Sequence, residues 1–420
     1  MNNQERFITV YKNGKQTQGT SVRSQNLACV LKPVMKRSAK CLLLAAFVVW
    51  ALVCAGAPCP ARGGTEQGPE VDSLVEQLCS EYYYRREHAL GELIRRDEAA
   101  TPAMLAALKS DNYHVREAAV RFLEAVAEPE TSPQLLDALK ASKEVEVVTG
   151  LTRLLARLEC EDAIGHVRGL LSDESSKVRA AAVDALAALG DRDSIGEIRA
   201  LVGDEFSEVR IAVVKALAAF HATESGKDVL ALFKKERIPE VRRAAVECLG
   251  ELKVEGAVPL LVEAVKDEDS PIFLRAVEAL AKIGGDEARE ALIDLLMRSD
   301  DLELLEVSSS AVGQMGESAI PVLEEKLEKL AQDADGRWKI MNAFGKMGKY
   351  VIPHFTRFLE SETYPFYKDR ASLMMLEVVK REYDITLDPK DYRLIYDEPF
   401  KEWERKIENW KKWWDEHKDD

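Results

Sequence analysis

Val178-Arg-Ala-Ala-Ala-Val-Asp-Ala-Leu-Ala-Ala-Leu-Gly190 is answered by Val209-Arg-Ile-Ala-Val-Val-Lys-Ala-Leu-Ala-Ala-Phe220 and again by Val241-Arg-Arg-Ala-Ala-Val-Glu-Cys-Leu-Gly-Glu-Leu252. Each block is one amphipathic helix with small residues on its packing face. The sixth residue of the block serves as a marker, and its column runs Ala89, Val120, Thr152, Val183, Val214, Val246, Val277, Ser309, Met341 and Leu373. Every step is 31 or 32 residues. A period held over nine steps is the signature of an array of helical hairpins, each burying its apolar face against its neighbours.

A second helix is predicted between successive markers, as in 194–202, 225–234, 257–266, 287–297 and 318–330, where apolar residues recur at three- and four-residue spacing. The links are short and rich in capping residues, for example Ser172-Asp173-Glu174-Ser175 and Gly203-Asp204-Glu205. Pro102, Pro133, Pro259, Pro321 and Pro353 fall near the starts of these second helices, where the missing N–H has no intrahelical partner to lose. After Lys380 the period stops. Trp403, Ile407, Trp410 and Trp414 then share one face of a helix over about 399–417, with Trp413 at its margin. A terminal cap for the array is the expected role, and a tryptophan platform for a ligand the alternative.

Here the sequence resembles the HEAT repeat family, and more closely its phycobilin-lyase-like subtype, in which Val-Arg opens a helix that ends Ala-Leu-x-x-Leu-Gly. The resemblance covers about residues 70–380. It implies an all-α fold, an α-solenoid of about ten helix pairs closed by the Trp-rich segment, with second helices lining a concave face. It also implies a ladder joining an acid to an arginine six residues later, a spacing matched by Asp173 and Arg179, Asp204 and Arg210, and Glu236 and Arg242. Arg116 departs from the pattern, with Ser110 at the matching position and Asp111 one residue nearer. The unit around Val147 lacks Val-Arg, and Phe273 replaces the arginine in a later unit.

Composition sorts the partners. The chain carries 46% hydrophobic and only 7% aromatic residues, so its core is Ala, Leu and Val. Its net charge is -15, but residues 1–61 hold eight basic residues against Glu5 alone, which leaves about -22 on the remainder. A body so acidic repels a phosphate backbone, which argues against nucleic acid and favours a protein or peptide, basic partners included. The surplus acid is expected on exposed second-helix positions such as Asp294, Glu324, Glu325 and Glu328.

The uncharged run Cys41-Leu-Leu-Leu-Ala-Ala-Phe-Val-Val-Trp-Ala-Leu-Val-Cys-Ala-Gly-Ala57 follows Lys36, Arg37 and Lys40. This is the pattern of a secretory signal over 35–61, with 1–34 as a leader or upstream extension. An uncleaved anchor through 41–57 is the alternative, short for a span. The chain is thus expected to be exported: periplasmic, extracellular, or anchored by that segment. The array is assigned to 62–383 and the cap to 384–420.

No constellation for chemistry emerges. His88, His114, His166, His221, His354 and His417 are scattered, and none stands four residues from another as a helical metal pair would. Cys79, Cys160 and Cys248 are too far apart for a zinc motif and are expected to be buried thiols. The resemblance brings two enzymes to mind. Deoxyhypusine hydroxylase holds iron with His-Glu pairs, and no His-Glu dipeptide occurs here. Phycobilin lyases handle a tetrapyrrole in the cytoplasm, which the export signal disfavours. The expected function is therefore a non-enzymatic protein-binding scaffold, without cofactor, metal or catalytic residues, and lyase-like tetrapyrrole handling is the alternative.

Overall fold

The computed structural model describes residues 70–330, 333–361, 365–395 and 399–418. The leader and the signal segment lie outside the described residues. Twenty-two α-helices, and no strands among the described residues, follow one another in hairpins. The connecting helices are α1 (Val71–Gln77), α3 (Thr101–Ala107), α5 (Ser132–Ala141), α7 (Ile164–Gly169), α9 (Ile195–Ala200), α11 (Gly226–Lys235), α13 (Val258–Ala264), α15 (Asp286–Arg298), α17 (Ile320–Lys329) and α19 (Ile352–Ser361). The marker helices alternate with them: α2 (Tyr83–Ile94), α4 (Tyr113–Val126), α6 (Val145–Arg157), α8 (Ser176–Ala188), α10 (Ser207–Ala219), α12 (Pro239–Glu251), α14 (Phe273–Ile283), α16 (Leu302–Gln314), α18 (Ala334–Lys346) and α20 (Pro365–Tyr383). Short α21 (Pro389–Tyr392) and long α22 (Phe400–His417) complete the chain.

Each marker helix packs on the connecting helix that precedes it, so the marker helix is the second member of its hairpin and not the first. Marker helices also stack on one another through the whole array, whereas most connecting helices meet mainly their own partners. Small residues permit the close stacking. A Cβ on Gly150 would fall 2.3 Å from Val120, and one on Gly250 would fall 2.9 Å from the Ala279 backbone. Nine of the ten marker residues are buried, from Ala89 to Met341. At the tenth the register slips by one: Ser372 is fully buried and Leu373 only half. Lys368, four residues before Ser372, is buried accordingly and lies over the Trp403 ring.

Marker helices end alike. Glu159, Gly190, His221, Lys253, Gly284, Gly316 and Gly348, each seven residues past a marker, all take positive φ between 50° and 74°. The next amide then reaches back five residues, as from Asp191 to the Leu186 carbonyl and from Val254 to the Leu249 carbonyl, both at 3.0 Å. This left-handed stop satisfies carbonyls that the helix leaves open, and glycine takes it without strain. The prolines at 102, 133, 259 and 321 stand in the first turns of connecting helices, as their lost N–H predicts.

The arginine ladder exists, but it is wired differently from the expected six-residue pairing. Arg179 donates through Nη1 to the backbone carbonyls of Asp173 (2.8 Å) and Glu174 (3.0 Å). Its other edge grips the Asp204 carboxylate of the next hairpin at 2.9 and 3.0 Å. Arg210 repeats this, holding the Asp204 and Glu205 carbonyls and reaching Glu236 at 2.8 Å. Each guanidinium thus clamps its own loop and pulls on the next one. Spacing alone suggests the intra-hairpin acid, but the Asp204 and Glu236 carboxylates belong to the preceding arginines, and Asp173, with Val148 in the arginine place before it, accepts from the Ser175 amide. Arg116 obeys the same rule, with the Ser110 and Asp111 carbonyls behind it and Glu146 (2.7 Å) and Glu144 (2.9 Å) ahead. Serine at 142 offers no carboxylate, so the acids come from just beyond it.

The tryptophan-rich segment is a cap. Trp403, Trp410 and Trp413 are buried, and the indole N–H groups of Trp403 and Trp410 donate to the Ile395 (3.0 Å) and Tyr392 (2.8 Å) carbonyls. Trp413 and Trp414 exchange their expected places. Trp413 packs edge-on against Tyr383 at 5.2 Å, while Trp414 is half-buried, because the contact face is centred on Trp403, Lys406, Trp410 and Trp413.

Candidate interaction surfaces

Stacking uses one face of each marker helix and leaves another to solvent. The residue after the marker faces outward along the array and forms the column Arg121, Arg153, Asp184, Lys215, Glu247 and Glu278. Arg121 is tied to Glu87 at 2.6 Å, and Arg275 ties up both Glu247 (2.8 Å) and Glu278 (2.7 Å). Arg153, Asp184 and Lys215, on three successive hairpins, are exposed and have no ion-pair partner within 4 Å among the described residues. Ala180, Ala187, Ala188, Ile211, Ala218 and Ala219 lie between them, partly or fully exposed. Asp184 touches solvent, yet protein closes round it enough for desolvation to push its carboxyl above the usual range, against the pull of Arg153 and Lys215.

The acids expected to stand free on the connecting helices are mostly engaged. Asp294 faces Lys326 at 3.5 Å, Glu325 pairs with Lys329 at 2.5 Å, and Glu324 accepts from His354 Nδ1 at 2.7 Å. Glu328 is exposed. Glu324, Glu328, His354 and Arg357 rim a cleft of about 170 Å³ between α17 and α19, floored by Phe344 and Phe355. Sequence reasoning placed the acids on the correct helices but could not see the bases one turn or one repeat away.

No group of histidine, cysteine or acidic residues among the described residues is arranged to hold a metal ion. His417 stacks on Trp413 at 4.5 Å, and burial together with Lys140 pushes His166 below its ordinary value. Two of the three thiols differ from expectation. Only Cys248 is buried, which pushes its pKa up to about 12, while Cys79 is exposed in the turn after α1 and Cys160 is half-exposed in the turn after α6.

The model of the family HEAT repeats matches residues 71–156, 165–237 and 226–313. These segments cover more than half of the chain, which therefore belongs to the HEAT repeat family. Similar solved structures include an engineered protein, 22% identical over 74% of this chain and 99% of its own, with a TM-score of 0.42. The CpcE–CpcF complex of phycocyanin lyase from Nostoc sp. PCC7120 is 20% identical over 56% of this chain and 97% of its own, with a TM-score of 0.33. Kap121p bound to Ste12p is 14% identical, with a TM-score of 0.49, and is covered over 41% of its length by 75% of this chain. Likenesses of this size concern the solenoid fold alone. No curated protein matches the sequence. Among the described residues, no helix is long and apolar enough to cross a membrane.

Proposed function

We propose that this chain is an exported, non-enzymatic scaffold that binds a protein or peptide along the outward face of its marker helices. The observation that carries the reading is the run Arg153, Asp184 and Lys215 over exposed alanines, where neighbouring hairpins neutralise the same position internally. The sequence led us to expect the connecting helices on the inner side of the array. Two layers joined in hairpins bend toward the one with the closer spacing, and the close approaches at Gly150 and Gly250 support the marker helices as that layer. With about -22 on the body, a partner segment laid along most of the array is basic or neutral, and the affinity of a basic one falls with salt. The basic n-region and apolar run before Ala57 support export.

The test is recovery of the full chain with its associated proteins from the exported fraction, beside a variant carrying Arg153→Glu and Lys215→Glu. The variant is expected to keep its helicity and lose the associated protein. Equal recovery with both forms would remove the marker-helix face from consideration. Protein found only in the cytoplasmic fraction would remove export.

A further inference from the structure

Arg242 is a ladder arginine without a carboxylate. It makes the inward half of the arrangement, donating through Nη1 to the Glu236 (3.0 Å) and Phe233 (3.2 Å) carbonyls, with its guanidinium 4.5 Å over the Phe233 ring. On its outward side Arg116, Arg179 and Arg210 each meet an acid of the next hairpin within 3 Å, but Arg242 meets none within 4 Å among the described residues. Asp267 stands at the position that should supply it, ten residues before a marker, as Asp204 and Glu236 do. Its carboxylate caps the Asp269 amide at 3.2 Å and stays apart from Arg242. The cause lies six residues on. Phe273 replaces the arginine that would clamp the Asp267 and Glu268 carbonyls, so nothing draws that loop inward.

The open edge of Arg242 faces a shallow recess of about 440 Å³ lined also by Lys234, Lys235, Glu236 and Arg237. Lys234, Lys235 and Arg237 are exposed, and none has an acid within 4 Å among the described residues. Glu236 does not offset them. Burial raises its carboxyl, but the Ile238 amide and Arg210 outweigh that and hold it below the ordinary range, with its charge already committed to Arg210. Four cations thus converge on one loop edge of an otherwise acidic body.

We propose that this recess docks an acidic segment of a partner protein, one carboxylate taking the place on Arg242 that Asp204 takes on Arg179. A carboxylate is favoured over phosphate because the vacant place belongs to a series that fixes planar carboxylates, bidentate where Asp204 meets Arg179. The proposal rests on reading the chain as a protein-binding scaffold, but it concerns the loop edge and not the marker-helix face.

The test titrates the full chain with fluorescent hexaglutamate at low salt, with inorganic phosphate as competitor. Arg242→Gln is expected to weaken binding at least tenfold and Lys235→Gln several-fold, while Asp267→Ala and a change at the distant exposed Lys177, Lys177→Gln, leave it unchanged. Phosphate should compete only at concentrations far above those of the peptide. Equal binding by Arg242→Gln overturns the proposal, and so does binding that appears only once Asp267 is removed, which would mean that Asp267 fills the place itself. Displacement by phosphate as effective as by peptide overturns the acidic-segment assignment. A thermal melt of Arg242→Gln close to the parent's separates lost binding from lost folding. Because the probe is supplied, the result is readable whether or not the marker-helix face captures a partner.

Discussion

Hairpins over residues 164–251 and those over 258–314 share one apolar plan but are joined by different polar hardware. In the first stretch Arg179 and Arg210 thread successive loops, each holding backbone behind and a carboxylate ahead. In the second, Phe273 and Leu305 occupy the arginine place and the thread stops. Buried Ser299 and Ser308 meet at 3.0 Å instead, and Lys339 donates from a later hairpin to the Met297 carbonyl at 3.0 Å. Ala276, Val277 and Leu280 remain as buried as their counterparts Ala182, Val183 and Leu186. The comparison teaches that helix stacking needs only the small-residue face, and that the ladder governs the loop edge.

The largest expected effect is therefore at Arg179. Removing it by Arg179→Ala leaves Asp204 nearly buried without its cation, and breaking such a pair typically costs about 3 to 5 kcal/mol. Arg242→Ala, which strands no carboxylate, should cost about 1 kcal/mol, the worth of ordinary hydrogen bonds. Urea denaturation of both variants checks the contrast, and similar losses would mean that the ladder carboxylates contribute nothing. The same pair predicts a response to pH. Burial raises the Asp204 carboxyl, but Arg179 and the Phe206 amide outweigh it and hold its pKa below the ordinary value. The stabilisation is then fully present above the ordinary carboxylate pKa of about 4 and lost as pH falls through the depressed value. Stability measured between pH 6 and 3 should fall less steeply in Arg179→Ala.

An intermediate effect tests the packing common to both stretches. Val214→Trp places a large ring where two marker helices meet and should cost about 1 to 3 kcal/mol. Lys215→Trp, one residue away on the outward face, should change stability by no more than about 0.5 kcal/mol. Equal tolerance at the two positions would mean that the helix phase is wrong.

The smallest effect is a gain. Lys253 holds φ at 51° where Gly190, Gly316 and Gly348 take the same stop freely. Lys253→Gly should stabilise by about 1 kcal/mol through relief of left-handed strain, less the added freedom of the unfolded chain. No gain in the denaturation midpoint would show that the neighbouring Schellman bonds already offset the strain.

The sequence by itself determined the all-α array, its period, the phase of nine marker residues, the proline positions and the terminal cap. These follow from local chemistry, since a 31- or 32-residue repeat with small residues on one face can bury that face only by stacking on its own copies. Tertiary structure decided what depends on two loops meeting across a joint: which acid each arginine grips, that Arg116 reaches Glu144 and Glu146, and that Asp267 fails to reach Arg242. It also decided which layer stacks closely and which surface charges are already neutralised, because Lys326 opposite Asp294 and His354 opposite Glu324 lie about thirty residues away along the chain. Spacing within a hairpin encodes direction and burial, but the partner of a long charged side chain is chosen by the distance between neighbouring repeats, which no single repeat contains.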